Sequence, residues 1–410
     1  MMASRQNHLR RRGSHESGRV TYVELFFDLV FVFAVTQLSH GLLHHLTPLG
    51  AVETGLLMMA VWWVWIYTSW ITNWLDPERG PVRLMLFVLM AASLVLSASI
   101  PTAFGERGPT FAAAFVVMQV GRSLFMLWAL KRHDDANYRN FQRITVWLCV
   151  SGLFWIAGGL AGSHARLGLW ATAVAIEYIS PAVGMWVPGL GRSTTGDWQI
   201  DGGHIAERCA LFVIIALGES VLVTGATFAD LPWSPTTIAA FAVTFIGSVA
   251  MWAVYFNIGA ERASRQIARS DDPGRLGRSG YTYLHILIVA GIIVSAVDDE
   301  LVLSHPLGHT DLATMLVIVG APALYLLGTA SFKSLTAPHV PLSHLVGFGL
   351  LALVAAASPI ASPLVLSAGT AASLIVVAVW EWVSLAIRPG SGASHAGARS
   401  DRTPGTPESQ

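Results

Sequence analysis

Val23-Glu-Leu-Phe-Phe-Asp-Leu-Val-Phe-Val-Phe-Ala-Val-Thr-Gln-Leu38 is an apolar run that opens on Glu24 and carries Asp28 and Gln37 deeper in. A second stretch, Ile205-Ala-Glu-Arg-Cys-Ala-Leu-Phe-Val-Ile-Ile-Ala-Leu-Gly-Glu-Ser-Val-Leu222, has the same design, with Glu207 near its start and Glu219 inside. Runs of about 18 or more apolar residues are long enough to cross a hydrocarbon core as helices. Twelve such runs can be marked: 22–43, 51–73, 82–100, 109–130, 141–161, 168–187, 205–228, 236–259, 281–303, 311–331, 341–358 and 364–387. The composition agrees, with 53% hydrophobic and only 12% charged residues and a mean hydropathy of +0.56. A soluble domain carries about twice that charge. The expected fold class is an all-α polytopic membrane protein.

The charges are sorted by side. With the N-terminus inside, 21 of the 25 Lys and Arg residues fall in the two tails and the cytoplasmic loops. Only Arg107 and Arg166 fall in outside loops, and Arg122 and Arg208 lie within spans. The positive-inside rule then predicts a cell-membrane protein with both termini cytoplasmic and an even number of spans. The two cysteines, Cys149 and Cys209, both lie inside apolar runs, which argues against a disulfide framework or a thiolate metal site. No cleavable leader pattern is seen; the first long helix, with its two acidic residues, is read as retained.

The chain also repeats itself. Glu24 aligns with Glu207 and Asn73 with Asn257; beyond the basic loop 260–280 the offset grows, and Ile176-Glu-Tyr-Ile-Ser180 matches Trp380-Glu-Trp-Val-Ser384. The expected organisation is a disordered basic cytoplasmic tail (1–19), a first six-helix repeat (20–188), a cytoplasmic linker (189–204), a second six-helix repeat (205–388) and a disordered tail (389–410). Six is even, so the repeats would share one orientation, as in transporters with parallel repeats.

The opening stretch resembles the signature of the bacterial low temperature requirement protein A (LtrA) family. Trp62-Trp63 through Thr72-Asn73 with Asp76 and Arg83, His204-x-x-Glu207-Arg208, Leu217-Gly-Glu-Ser220 and Tyr281-x-Tyr283-x-His285 are similar to it too, and the likeness runs over about residues 20–388. It implies a multi-pass membrane protein named from growth in the cold, and no particular reaction. A fainter likeness links Phe26-Phe-Asp28 to potassium channels built from six-helix repeats, though the serine of their motif is missing.

Ionisable groups at bilayer depth cost about 2.5–3.5 kcal/mol or more, so each is a functional candidate. Glu24 and Asp28, four apart, share a helix face. Arg208 lies at matching depth beside Glu207 and is placed to neutralise Asp28 or Glu24. Glu219 falls near the midplane, about 18 Å beyond Glu207, where a carboxyl suits proton coupling. Glu177 and Glu381 occupy corresponding helices. His285 lies one turn into the ninth helix, and Asp298-Asp-Glu300, toward its other end, reads as a cation-attracting mouth with at least one member solvated. Each has a plainer reading as a capping, packing or hydrogen-bonded residue. His40, His44, His305 and His309 have spacings that could hold a metal only if the loops converge with Asp298 or Asp311; no metal is assigned. Trp70 and Trp74 fit an interfacial aromatic belt, and Trp62, Trp63 and Trp65 fit helix packing.

No phosphate-binding glycine loop, zinc-protease pair or nucleophile–base arrangement occurs, and no cofactor is expected. The expected partners are membrane lipid and an unidentified small solute or ion, not nucleic acid; a homo-oligomer stays open. The leading expectation is a proton- or ion-coupled secondary transporter. The alternatives are an ion channel lined by the first and seventh helices, or a membrane-embedded enzyme acting on lipid through Glu24, Asp28, Glu207 and His285.

Overall fold

The computed structural model describes residues 8–10, 19–131, 133–194, 197–198, 200–257, 267, 270–336 and 340–386. They form twelve long helices: α1 (Tyr22–His44), α2 (Pro48–Trp74), α3 (Gly80–Ser99), α4 (Gly108–Leu130), α5 (Asp135–Leu160), α6 (Ser163–Ile179), α7 (Gly202–Asp230), α8 (Pro235–Phe256), α9 (His285–Ser304), α10 (Leu312–Thr336), α11 (Leu342–Ala357) and α12 (Pro363–Ala386). Among the described residues there is no strand, only isolated bridges at Leu9–Leu75 and Val187–Gly191. The tail 389–410 and, within the loop 260–280, residues 260–266 and 268–269 lie outside the described residues.

The helix starts are written in the sequence. Thr47 and Ser234 cap α2 and α8 ahead of a proline, Asp134 caps α5 and Asp201 caps α7. Each supplies a side-chain oxygen to a backbone N–H that has no partner within its helix. Among the described residues, nine helices are long and apolar enough to cross a membrane. The other three differ for local reasons: α6 has 17 residues, α11 has 16, and α9 carries Asp298, Asp299 and Glu300 in a row.

Two spans sit differently from the pattern read in the sequence. The sixth was expected at 168–187, but α6 begins at Ser163 and ends at Ile179. Its early start draws in Arg166, which is buried rather than in an exposed loop. Arg166 donates to the carbonyls of Ala103 (2.9 Å), Gly105 (2.5 Å), Gly158 (3.1 Å), Gly159 (3.1 Å) and Ala161 (3.0 Å). After Ser180 and Pro181 the chain turns through Gly184 and Met185, at φ 66° and 50°. The ninth span was expected from 281; a π-helical segment, Gly277–Leu284, precedes α9. Residues 8–10, read as part of a disordered tail, pair instead with the loop after α2. Arg10 N donates to Trp74 O (2.8 Å), Asp76 N donates to His8 O (2.9 Å), and His8 stacks on Trp128.

Helix contacts follow one pattern in both halves of the chain. α1 packs on α3, α3 on α4, α4 on α5, α5 on α6, and α2 on α6. Likewise α7 packs on α9, α9 on α10, α10 on α11, α11 on α12, and α8 on α12. The halves meet where α1 and α2 contact α7 and α9. α9 sits deepest there, touched by α1, α2, α7, α8, α10 and α12. Its closest neighbour is α10: a Cβ on Gly291 would lie 2.7 Å from Tyr325 N, and one on Gly328 would lie 2.7 Å from Ile288 N. Small residues allow this approach of two backbones.

Candidate functional site

Two polar stations lie along the seam of α1, α7 and α9. The first is at the end where all three helices begin. Thr21 caps α1 and Glu24 returns the bond, accepting from Thr21 N and Oγ1 at 2.9 Å each. Glu24 is nevertheless fully buried, because the other half of the chain covers it. Its Oε1 takes His204 Nε2 at 2.9 Å and Arg208 Nη1 at 3.2 Å, and its Oε2 takes Arg10 Nη2 at 2.9 Å. One helical turn on, Asp28 accepts from Arg208 Nη2 (2.5 Å) and Nε (3.1 Å) and from Trp65 Nε1 (2.7 Å). Arg208 Nη1 also donates to Thr72 Oγ1 at 3.1 Å. Asn73 Nδ2 points at His204 Nδ1 (3.3 Å), which leaves the ring proton on Nε2 to be donated to Glu24. Two carboxylates and two guanidiniums thus sit together, and the station is balanced in charge.

The pairing of Arg208 with Asp28 and Glu24 matches the expectation from depth. Glu207 does not join it. Its side chain is exposed while His204 and Arg208, one turn apart, face the seam. Facing α1 with a second carboxylate would have repelled Glu24; the helix phase turns Glu207 away. Glu207→Gln is therefore expected to leave folded yield and melting temperature unchanged in detergent. A clear loss of either would place Glu207 in a contact that its exposure denies.

Beyond this station the seam turns apolar. Phe31 and Val35 of α1, Phe212 of α7, and Val289 and Ile293 of α9 belong to one continuous buried core. The second station follows, about 12 Å further along α1 at the helical rise. Thr36 Oγ1 bonds to Glu219 Oε1. Next to Glu219, Ser220 Oγ donates to Asp299 Oδ2 (2.9 Å), and Thr224 Oγ1 lies 3.0 Å from the same oxygen. Asp298 is buried too, and its Oδ1 has no hydrogen-bond partner among the described residues. Glu219 is half-buried, as are Gln37 and Glu300. Of the three consecutive acids expected to include at least one solvated member, Asp298 and Asp299 are buried and Glu300 keeps partial exposure. No Lys, Arg or His contacts Glu219, Asp298 or Asp299 among the described residues.

The remaining acidic candidates lie away from the seam. Glu177 in α6 accepts from Ser151 Oγ (2.7 Å), Trp155 Nε1 (3.0 Å) and Gln119 Nε2 (3.0 Å). Gln119 Oε1 in turn takes Arg122, which also donates to Val64 O and Thr68 Oγ1. Glu381 in α12 pairs with Lys333 Nζ at 2.7 Å and lies 3.4 Å from Ser343 Oγ and from His344 Nδ1. His285 is buried between Tyr255 Oη (2.8 Å) and Gly280 O (3.0 Å), a saturated core histidine. Arg122, Lys333 and His204 were given no site role from the sequence, although His204 belongs to a family-like motif. The signal for Arg122 was there, a guanidinium inside an apolar run.

No three His, Cys, Asp or Glu side chains come together as a metal site among the described residues, so His40, His44, His305 and His309 do not form one. Asp311, outside the spans, instead starts α10: bonds from Thr314 hold its carboxyl below the usual carboxylate range. Trp70 and Trp74 are buried rather than facing an interface. With Tyr67, Phe141, Trp198 and Arg278 they line a cavity of about 50 Å³, room for one or two waters.

Comparison with known proteins bears on the whole chain. Residues 19–379 match the family model of the bacterial low temperature requirement A protein (LtrA). The chain belongs to the LtrA family. An uncharacterized protein of Rhizobium meliloti (strain 1021) is 42% identical over 387 residues, covering 94% of each chain. No solved structure matches. The LtrA match spans both stations, and with the apolar helices it makes this a multi-pass membrane protein.

Proposed function

We propose that this LtrA-family protein is a proton- or ion-coupled secondary transporter, working across the seam of α1, α7 and α9. One observation carries the reading: along the seam Glu219 and Asp299 are met by hydroxyls, and the buried Asp298 Oδ1 has no hydrogen-bond partner among the described residues. Buried carboxyls without a cation are costly, and in membrane proteins they mark ion or proton pathways. Elsewhere Glu24 and Asp28 are offset by arginines and Glu381 by a lysine, while Glu177 is held by three neutral donors, Ser151, Trp155 and Gln119. The matching helix contacts of the two halves support two six-helix repeats rocking about this seam. The sorting of basic residues supports cytoplasmic termini in the cell membrane. A channel is the second reading, favoured by the apolar interval at Phe31, Val35 and Phe212, which has the make-up of a hydrophobic gate.

The test is proton and ion flux in proteoliposomes holding the full chain. Flux under an imposed gradient is expected in the native protein and is expected to disappear in a folded Glu219→Gln variant. No flux under proton, sodium or potassium gradients, with both proteins folded, would sink the transporter and channel readings together. Flux unchanged by Glu219→Gln would move the pathway away from the second station.

A further inference from the structure

The first station is completed by a piece of chain that lies outside the helices. Residues 8–10 run along the end of α2 as a short strap, with Arg10 N on Trp74 O, Asp76 N on His8 O, and the His8 ring stacked on Trp128 at 5.0 Å. The arginine of this strap reaches further in. Arg10 Nε donates to Thr72 O (2.8 Å) and Leu75 O (3.2 Å), Nη1 to Arg19 O (3.4 Å) and Nη2 to Glu24 Oε2 (2.9 Å). Nη2 also lies 3.1 Å from His204 Nε2, because both donate to the Glu24 carboxylate. Each of the three guanidinium nitrogens thus meets an oxygen. Thr72 and Leu75 stand at the end of α2, where carbonyls lack a donor within the helix and the negative end of its dipole gathers. An ammonium, a point charge on one nitrogen, cannot reach all of these acceptors at once.

The charge of the station requires an occupant. His204 accepts from Asn73 at Nδ1 and keeps its one ring proton on Nε2, so it is neutral. Without Arg10, Glu24 and Asp28 would face Arg208 alone, leaving one buried negative charge over. An uncompensated buried charge is strongly destabilising, so the strap leaves at low cost only when another cation takes its place. Arg10 keeps 11% of its side chain exposed where Glu24 keeps none. The occupant therefore lies on the solvent side of the carboxylate, where a free cation can replace it.

We propose that the first station is a binding site for a guanidinium-bearing cation, that Arg10 is its tethered occupant, and that a free guanidinium competes with the strap for it. A role for that cation as the transported solute rests on the transporter reading; the binding does not.

The test uses purified full-length protein in detergent, with Arg10→Ala as the variant and methylguanidinium chloride as the probe, far below denaturing concentrations. Arg10→Ala is expected to lower the melting temperature. Methylguanidinium is expected to restore most of that loss, saturably, as a ligand of the folded state does by mass action. Methylammonium and sodium chloride at the same ionic strength are not, and the native protein, whose site is filled, is expected to shift little. An equal response of Arg10→Ala to all three salts, or no response to any, would overturn the proposal. Should Arg10→Ala not fold, Arg10→Lys keeps the charge without the fork, and the strap itself can report. A bimane fluorophore on His8→Cys, in a background where the exposed Cys149 is changed to serine, stands beside Trp128 and is quenched by it while the strap is docked. Methylguanidinium, and not methylammonium, is expected to raise this fluorescence in Arg10→Lys; no rise with methylguanidinium would likewise overturn the proposal. Methylguanidinium binding without flux would keep this inference and remove the transporter; flux without such binding would do the reverse.

Discussion

Arg208→Met is expected to remove most of the folded protein. Arg208 is fully buried and touches both Glu24 and Asp28. Deleting one side of a buried ion pair costs about 3–5 kcal/mol, because the other side stays buried without its partner. A whole domain is held by only about 5–15 kcal/mol. The two carboxylates do not suffer equally. Among the described residues Glu24 keeps Arg10, His204 and Thr21, whereas Asp28 keeps only Trp65 Nε1. Adding Asp28→Asn to Arg208→Met should therefore restore more of the melting temperature than adding Glu24→Gln. Arg208→Lys should fall between, since an ammonium cannot repeat the forked contact with Asp28. Size-exclusion profiles and melting curves in detergent check the series. A monodisperse Arg208→Met protein with a native melting temperature would show that the pair contributes nothing to folding.

Gly291→Val is the second large effect. Even a methyl group at Gly291 would press on the N and Cα of Tyr325, at 2.7 and 2.8 Å. Those atoms belong to a helix backbone and cannot rotate away. α9 and α10 would have to part, pulling Ile288 from its contact with Gly328. Overpacking a tight interior costs about 1–3 kcal/mol, and a rigid contact belongs at the top of that range. Gly349, in α11, has open space where a Cβ would go. Gly349→Ala is expected to hold or slightly raise stability, since it removes a helix glycine. Equal melting temperatures for Gly291→Val and the native chain would mean that the two backbones do not meet as described.

Much of this was legible in the sequence, residue by residue. The apolar runs announced twelve helices. The depth of Arg208 along the seventh announced its partners on the first. What stayed hidden depends on rotation about the helix axes. Aligning the two halves set Glu207 on Glu24, but facing helices need complementary groups, and the phase of α7 presents His204 and Arg208 instead. Asp298, Asp299 and Glu300 looked like a mouth because adjacent residues point different ways. Around α9 neighbouring helices cover most directions, so Asp298 and Asp299 are buried and Glu300 alone of the three keeps partial exposure. Arg10 was indistinguishable from its arginine neighbours; only the loop after α2, which pairs with residues 8–10, picks it out. The Gly291–Gly328 register needed the packing of α9 on α10 to be known.

The first station also sets a timetable. A chain is made from its N-terminus, at about 5–20 residues per second. When α1 leaves the ribosome, Glu24 already has Arg10 within reach, while Arg208 is 180 residues away from Asp28. That distance is about 10–40 seconds of synthesis. For that interval Asp28 has nothing better than the indole of Trp65, 37 residues on. The first half of the protein is thus born one positive charge short, and it waits in an unfinished state for the second half to arrive.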